Sequence, residues 1–276
     1  MSSVLMRTPS CGRSGNAMRA DSFFSLKFGS RTRAKEVLKQ GLILRGGRAL
    51  SPSDDVREGD EFTFISEDAL RVSRGGCKLE RGLTFFGEDV AGCTFADLGA
   101  STGGFTEALL SRGAGRVYAV DVGHDQLAPS LASDPRVTVM DGTNVRFLTP
   151  DRFDMPLDGI VSDLSFISLS LVLPVMAELL HEGGRAFVLF KPQFECGGVG
   201  LGKGGILPVK RHPPLLSAFY DRCIACGLAP QNIVNAPVRA RKNVEYVVFL
   251  KKGGAPMERT LFLQRAQERP FPEENL

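Results

Sequence analysis

The spacing of apolar residues divides this chain into regions of different period. Residues 1–18 show no period and are rich in small, polar and basic side chains, which predicts a disordered extension. In "SRTRAKEVLKQG" (30–41), Ala34, Val37 and Leu38 share one helical face, with Ser30 or Thr32 as N-cap and Gly41 as the stop. "LILRGGRAL" (42–50) sets two short apolar segments about Gly46-Gly47, as a hairpin does, and "EGDEFTFIS" (58–66) alternates as an edge strand. Residues 19–66 thus read as a small α+β unit, followed by a charged connector over 67–80.

From Cys93 the pattern changes to strands alternating with helices. Strands are expected at 93–98, 116–121, 136–140, 158–163, 185–191, 231–236 and 245–251, and helices near 103–112, 125–132, 168–181 and 211–227. Alternation of this kind predicts an α/β fold over 81–252, a Rossmann-like seven-stranded sheet wound on both sides. No helix separates the last two strands, so one of them should run antiparallel. Residues 253–276 form a tail in which "ERTLFLQRAQER" has the pattern of a short amphipathic helix.

Composition narrows the class. The 276 residues are 43% hydrophobic and 24% charged, ordinary values for a soluble globular protein. Runs such as "VYAV" and "AFVLF" are too short to span a bilayer, and "MSSVLMRTPSCGRSG" has no apolar export core, so a cytoplasmic protein that does not meet the membrane is expected. The net charge of +3 says little, but its distribution says more. Arg19, Lys27, Arg31, Arg33, Lys35, Lys39, Arg45 and Arg48 face only Asp21 and Glu36 between residues 19 and 48, a local field suited to a polyanion. A solvated helix face gives the same pattern, and charge alone favours that plainer reading.

Six cysteines show no disulfide framework. "CIAC" (223–226) closes a helical stretch instead of opening one, and no second ligand pair accompanies it, so it reads as packing and not as a redox or zinc site.

The chemistry concentrates at strand ends. "FADLGASTGGFTEALL" is a strand, a glycine turn and a helix start, with Gly99, Gly103 and Gly104 permitting close backbone approach. It is neither G-x-G-x-x-G nor a phosphate-binding loop, and Asp97 beside it would repel a pyrophosphate while suiting a cationic amino-acid ligand. Asp121 ends the next strand, where a carboxylate can accept from ribose hydroxyls, and Asp141 ends the third. Any one of these is an ordinary turn residue; together they favour an S-adenosylmethionine site. The fourth strand ends in Asp163 and the fifth in Lys191, while Glu245 opens the last strand and Lys78 precedes the domain. Alternating lysines and acids at one cleft can tune a lysine for a hydroxyl proton, or can simply brace the strand ends. Periodicity alone leaves both open.

The segments "VSRGGCKL", "DLGASTGGFTEALL", "SDLSFIS", "KPQFE" and "NVEYVVFL", in that order over roughly 19–252, resemble the TlyA family of ribosomal RNA methyltransferases. The resemblance implies a small RNA-binding domain ahead of an FtsJ-like methyltransferase domain, S-adenosyl-L-methionine as methyl donor, and ribosomal RNA or ribosomal subunits as partner. It implies ribose 2′-O-methylation by a Lys-Asp-Lys-Glu tetrad: Lys78, Asp163, Lys191 and Glu245. Lys191 would be base or alkoxide stabiliser, Asp163 and Lys78 would tune it, and Glu245 would help position the ribose. The cofactor would lie along Asp97, Gly99, Ala100, Ser101, Thr102, Gly103, Gly104 and Phe105, reaching Asp121 and Val122, Asp141 and Gly142, and Asp163. RNA would meet Arg31, Arg33, Lys35, Lys39, Arg45, Arg48 and Arg74. No metal is required. Two places depart from the family: Arg71 stands where relatives have an aromatic, and Leu207, Pro208 and Val209 replace their Val-Val and Arg-Asp run. Two rivals remain, an inactive RNA-binding protein of the same fold and a cytolysin; the intact tetrad opposes the first, and the lack of a spanning segment opposes the second.

Overall fold

The computed structural model describes residues 4–7 (backbone), 17–28, 30–57, 59–65, 73, 75–236 and 242–268. Arg71 and Arg74 lie outside them. In the first part, strands β1 (Val4–Arg7) and β2 (Met18–Arg19) precede helices α1 (Ala20–Phe28) and α2 (Arg31–Lys39), and β3 (Ile43–Arg45), β4 (Arg48–Ala49), β5 (Asp55–Val56) and β6 (Glu61–Phe64) follow. The predicted hairpin is β3–β4, with Gly46 and Gly47 at φ 58° and 80°, the left-handed pair that a two-residue turn needs. Ser30 caps α2 by accepting from Arg33 N, and Gly41 ends it at φ 68°.

Two expectations are corrected here. β6 is not an edge strand, because β1 pairs with it on one side and β3 on the other. Val4–Arg7 therefore belongs to a sheet, although its four residues are too few to show a period. Helix α1 was also not foreseen: its hydrophobic face is mostly Phe24 and Phe28, one turn apart, buried with Val37, Leu38, Ile43, Phe62 and Phe64.

In the second part a helix begins inside the stretch read as connector. It is α3 (Gly75–Phe86), and it is followed by β7 (Thr94–Leu98), α4 (Gly104–Ser111), β8 (Arg116–Val120), α5 (Pro129–Ala132), β9 (Val137–Met140) and β10 (Leu157–Ser162). Then come α6 (Leu173–Leu179), β11 (Leu180–Phe190), α7 (Pro192–Glu195), α8 (His212–Ala225), β12 (Leu228–Asn235), β13 (Tyr246–Lys252) and α9 (Arg259–Gln267). α5 is shorter than expected because Pro129 starts it and Asp125 takes φ 54°. The expected 168–181 helix is a 3-10 turn at Leu169–Leu171 and then α6, since Leu180 already pairs with Leu157.

The sheet order is β12-β13-β11-β10-β7-β8-β9, parallel except for β13, which is antiparallel to both its neighbours. That is the expected seven-stranded sheet with one reversed strand. Both faces are buried, and successive residues alternate between them. Ala96, Tyr118, Ile160, Val188 and Val248 face α6, α8 and α9, while Phe95, Val117, Val161, Phe187 and Val247 face α3 and α4. Phe262 and Ala266 bury α9, and Cys223 is in the core with its thiol pKa raised by burial, so "CIAC" packs as expected. No helix among the described residues is long and apolar enough to cross a membrane.

The strand order reverses between β7 and β10, which opens a crevice at their carboxyl ends. One close contact shapes that crevice. A Cβ on Gly76 would stand 2.6 Å from the Gly104 carbonyl oxygen, so α3 can lie against the start of α4 only with glycine there.

Asp21, on α1, has no exposed surface and draws in Arg31 at 3.0 Å, Arg19 at 3.3 Å and Lys35 at 3.7 Å. Arg31 and then Arg19 hold its carboxyl well below the usual carboxylate range. The stabilisation is therefore complete above about pH 4 and is lost as pH falls toward the depressed value. Asp21→Asn should lower hydrogen-exchange protection across 20–39 at pH 7, and the gap to wild type should begin to narrow below about pH 4 while most of it persists at pH 3, where the buried carboxyl is still ionised. A gap already closed at pH 3, or one that does not narrow on further acidification, would contradict this.

Candidate active site

The glycine turn after β7 is built around two carboxylates. Asp97 is fully buried, and its Oδ2 accepts from Thr106 N (2.9 Å) and Thr106 Oγ1 (2.7 Å), tying the strand to the first turn of α4. Its Oδ1 has no hydrogen-bond partner among the described residues. Burial lifts the Asp97 pKa to about 7, against the pull of Thr106, and the nearby Asp163 and Asp121 charges add to the rise. Gly103 caps α4 at φ 94°, and a Cβ there would strike Leu131.

Asp121 holds the far side of the turn. Its two oxygens accept from Ser101 N and Gly123 N, each at 2.8 Å, and Ser101 sits at φ 47° as a result. Asp141 Oδ2 accepts from Asp125 N (2.8 Å), joining the ends of β8 and β9. Val122, between them in the chain, leaves 70% of its surface exposed at the rim. Ala100, Thr102 and Gly142 belong to the same rim by backbone position. Phe105 does not present its ring there: it is buried in the core, and only its backbone faces the turn.

The second cluster lies where β10, β11 and β13 end. Lys191 is 7% exposed, and its ammonium stands 2.6 Å from Asp163 Oδ1. The aligned hydrogen bond from Nζ goes to Ser165 Oγ at 2.8 Å, and the Phe194 ring centroid lies 5.7 Å away. Phe190 pairs with Tyr246, so Lys191 and Glu245 leave the sheet side by side. Glu245 Oε2 accepts from Lys78 Nζ at 2.6 Å and Oε1 from Gln193 Nε2 at 3.0 Å. At the start of α3, a Cβ on Gly75 would come within 3.5 Å of Asp163 Oδ2, which brings the helix that carries Lys78 to the same spot. All four proposed tetrad residues thus gather at one sheet edge, as two ion pairs.

Several neighbours escape a reading of strand-end charges and glycine turns, because they lie just beyond the strand ends. Ser165 and Phe166 lie in "SDLSFIS", and Gln193, Phe194 and Glu195 in "KPQFE". For Glu195 the readable signal is its place four residues, one helical turn, beyond Lys191, with Pro192 starting the helix between them. Phe166 is 91% exposed and adopts φ 62°, with its ring 5.0 Å from that of Phe194. A bulky residue in the left-handed region costs about 1–2 kcal/mol, so the fold must hold it there.

The basic face is only partly as expected. Arg33 is buried beside Glu36 at 3.9 Å, which withdraws it from the exposed surface because α2 turns that position inward. Arg31 and Lys35 are half-exposed over Asp21, and Arg45 is held by Asp60 at 2.9 Å. Lys39 and Arg48 are exposed. Among the described residues, no group of three or more His, Cys, Asp or Glu side chains is arranged to hold a metal ion.

Residues 71–252 match the FtsJ-like methyltransferase family. A Mycobacterium tuberculosis protein named 16S/23S rRNA (cytidine-2′-O)-methyltransferase TlyA is 44% identical over 230 residues, 80% of this chain and 84% of its own. Hemolysin A of Brachyspira hyodysenteriae is 34% identical over 79% of this chain and 92% of its own length. A solved structure from Streptococcus thermophilus superposes with a TM-score of 0.71 at 34% identity, covering 90% of this chain and 94% of that one. The match of the methyltransferase segment, together with relatives aligned along most of both chains, leads to one conclusion: the chain belongs to the TlyA family of FtsJ-like methyltransferases.

Proposed function

We propose that this chain methylates a ribose 2′-hydroxyl of ribosomal RNA, using S-adenosylmethionine, with Lys191 as the group that meets the reacting hydroxyl. The observation that carries this reading is the buried Lys191 ammonium, held between Asp163 at 2.6 Å and Ser165 at 2.8 Å beside the Lys78–Glu245 pair. A salt-bridge brace would not need its lysine aimed at an exposed serine. The relative named as a ribosomal RNA (cytidine-2′-O)-methyltransferase supports the substrate class.

The residues fit the cofactor. Asp97 Oδ1 is a buried carboxylate oxygen without a partner among the described residues, and it suits the ammonium of an amino-acid moiety. Asp121 keeps acceptor capacity beyond its two backbone bonds for ribose hydroxyls, and exposed Val122 offers apolar surface to a base. When bound, S-adenosylmethionine supplies a methyl group on a positively charged sulfur.

The chain's own residues do the rest. Lys191 sets a cation beside the hydroxyl, which lowers the energy of the alkoxide as its proton passes to solvent water. Asp163 and Ser165 fix the direction of that ammonium. Glu245, held by Lys78 and Gln193, lines the site for the ribose, and alignment supplies much of the acceleration. Phe166 gives the attached base an exposed ring to stack on. The small domain brings basic residues to the RNA backbone.

Lys191→Ala should abolish transfer of tritiated methyl groups to ribosomal subunits while calorimetry finds S-adenosylmethionine binding nearly intact. An active variant would refute the role of Lys191, and a wild-type enzyme that labels no RNA would sink the function. Cofactor affinity should rise as pH increases from 5 to 8, because the ammonium needs the Asp97 carboxylate and that group is mostly protonated below about pH 7 in the free protein. Calorimetry in buffers of different ionisation enthalpy should detect a released proton in this window, and Asp97→Asn should flatten the profile. Replacing Lys39 or Arg48 with Ala should each reduce the slope of log K against log salt for RNA by roughly 0.7–0.9. Unchanged slopes in both would remove them from the RNA surface.

A further inference from the structure

Helix α7 is a single turn, yet its side chains take hold of the catalytic edge at successive points. Gln193 reaches across to Glu245. The other three meet one segment, 163–169, in order. Lys191, the residue that caps the turn, meets Asp163 and Ser165, and Phe194 meets the Phe166 ring at 5.0 Å. Glu195, one turn below Lys191, accepts from Ser168 Oγ at 2.6 Å through Oε2 and from Leu169 N at 2.8 Å through Oε1. Phe166 therefore lies between two polar grips, one at each end of its segment.

The second grip has features of a clamp and few of a cap placed for solubility. Both carboxylate oxygens are used, and burial raises the Glu195 pKa against the pull of Ser168 and Leu169. Its partners open the 3-10 turn Leu169–Leu171, where Ser168 also accepts from Ser170 N. Phe166, two residues upstream, is in the left-handed region and almost wholly exposed, a conformation that persists only where both flanks are held. Lys191 secures the upstream flank and Glu195 the downstream one.

We propose that Glu195 is a positioning residue for methyl transfer: its two hydrogen bonds to Ser168 and Leu169 hold Phe166 at the lip of the site, where the substrate nucleotide must stack. The proposal rests on the reading of Phe166 as a base platform. Glu195 touches neither the ribose nor the methyl donor in this scheme, and it acts through the segment it grips. Its removal should raise the RNA KM and lower kcat/KM while the glycine turn and its cofactor surface stay as they are.

The test is a kinetic cycle on the full-length enzyme with ribosomal subunits as methyl acceptor. Glu195→Ala and Phe166→Ala should each cut kcat/KM for RNA by roughly 10- to 100-fold, with S-adenosylmethionine affinity unchanged. The double variant should lose little more than either single one, since both act at one platform. Glu195→Gln should recover most of the activity, because its amide can accept from Leu169 N and donate to Ser168 Oγ. Wild-type kinetics in Glu195→Ala beside an impaired Phe166→Ala would overturn the proposal alone. Losses that multiply in the double variant, or a parallel loss of cofactor binding, would also overturn it. An unimpaired Phe166→Ala enzyme would remove the platform reading and this proposal with it. Should Glu195→Ala fail to fold, Ser168→Ala removes one of the two bonds, and the same non-additivity with Phe166→Ala is expected.

Discussion

A lysine ammonium removed from water at the tip of a buried strand is costly unless it is paired, and the architecture of the sheet edge around Lys191 follows from that constraint. β10 and β11 are parallel neighbours, with Ser162 opposite Val188, so Asp163 and Lys191 emerge from adjacent strand ends within reach of each other. β13 runs the other way and delivers Glu245 next to Lys191, where Lys78 balances its charge. The reversed final strand is thus more than a quirk of topology. A parallel β13 would bring the Glu245 end of the strand to the opposite edge of the sheet.

The glycine turn after β7 and the Lys191 cluster share one support. α3 meets the start of α4 at the Gly76–Gly104 contact and begins beside Asp163 at Gly75. Ser73 Oγ accepts from Gly75 N just before that helix. Moving the helix that carries Lys78 would therefore disturb both the turn that presents Asp97 and the ion pairs at Lys191. α7 adds the complementary support from the other side, since every polar side chain from Lys191 to Glu195 is bonded to the edge it faces. Lys191, Glu245 and Phe166 owe their placement to the segments packed around them.

The first part of the chain uses charge in a related way. Asp21 sits beneath Arg19, Arg31 and Lys35, so three cations converge on one buried anion and leave a net positive surface of limited mobility. Held cations lose less freedom on meeting a phosphate than solvated ones. The same packing takes Arg33 out of that surface, although it lies between Arg31 and Lys35 in the sequence.

The chain's own pattern determined the sheet, its seven strands and the reversal at the end, because buried strands and amphipathic helices have periods that survive without tertiary information. It also determined which charged residues stand at strand ends, since strand termination is local. Tertiary structure decided the rest. Whether Lys191 meets Asp163 or solvent depends on strand order, which no local period encodes. Arg33 and Phe105 turn inward because of the helices around them, and Val4–Arg7 is a strand only because β6 offers it an edge. Ser165, Phe166 and Gln193 carry no periodic signal, Glu195 carries only its one-turn spacing from Lys191, and their placement follows from contacts between segments. Packing accounts for the four apolar residues of "FVLF"; the lysine after them is explained by a partner that lies 28 positions earlier in the chain and one strand away.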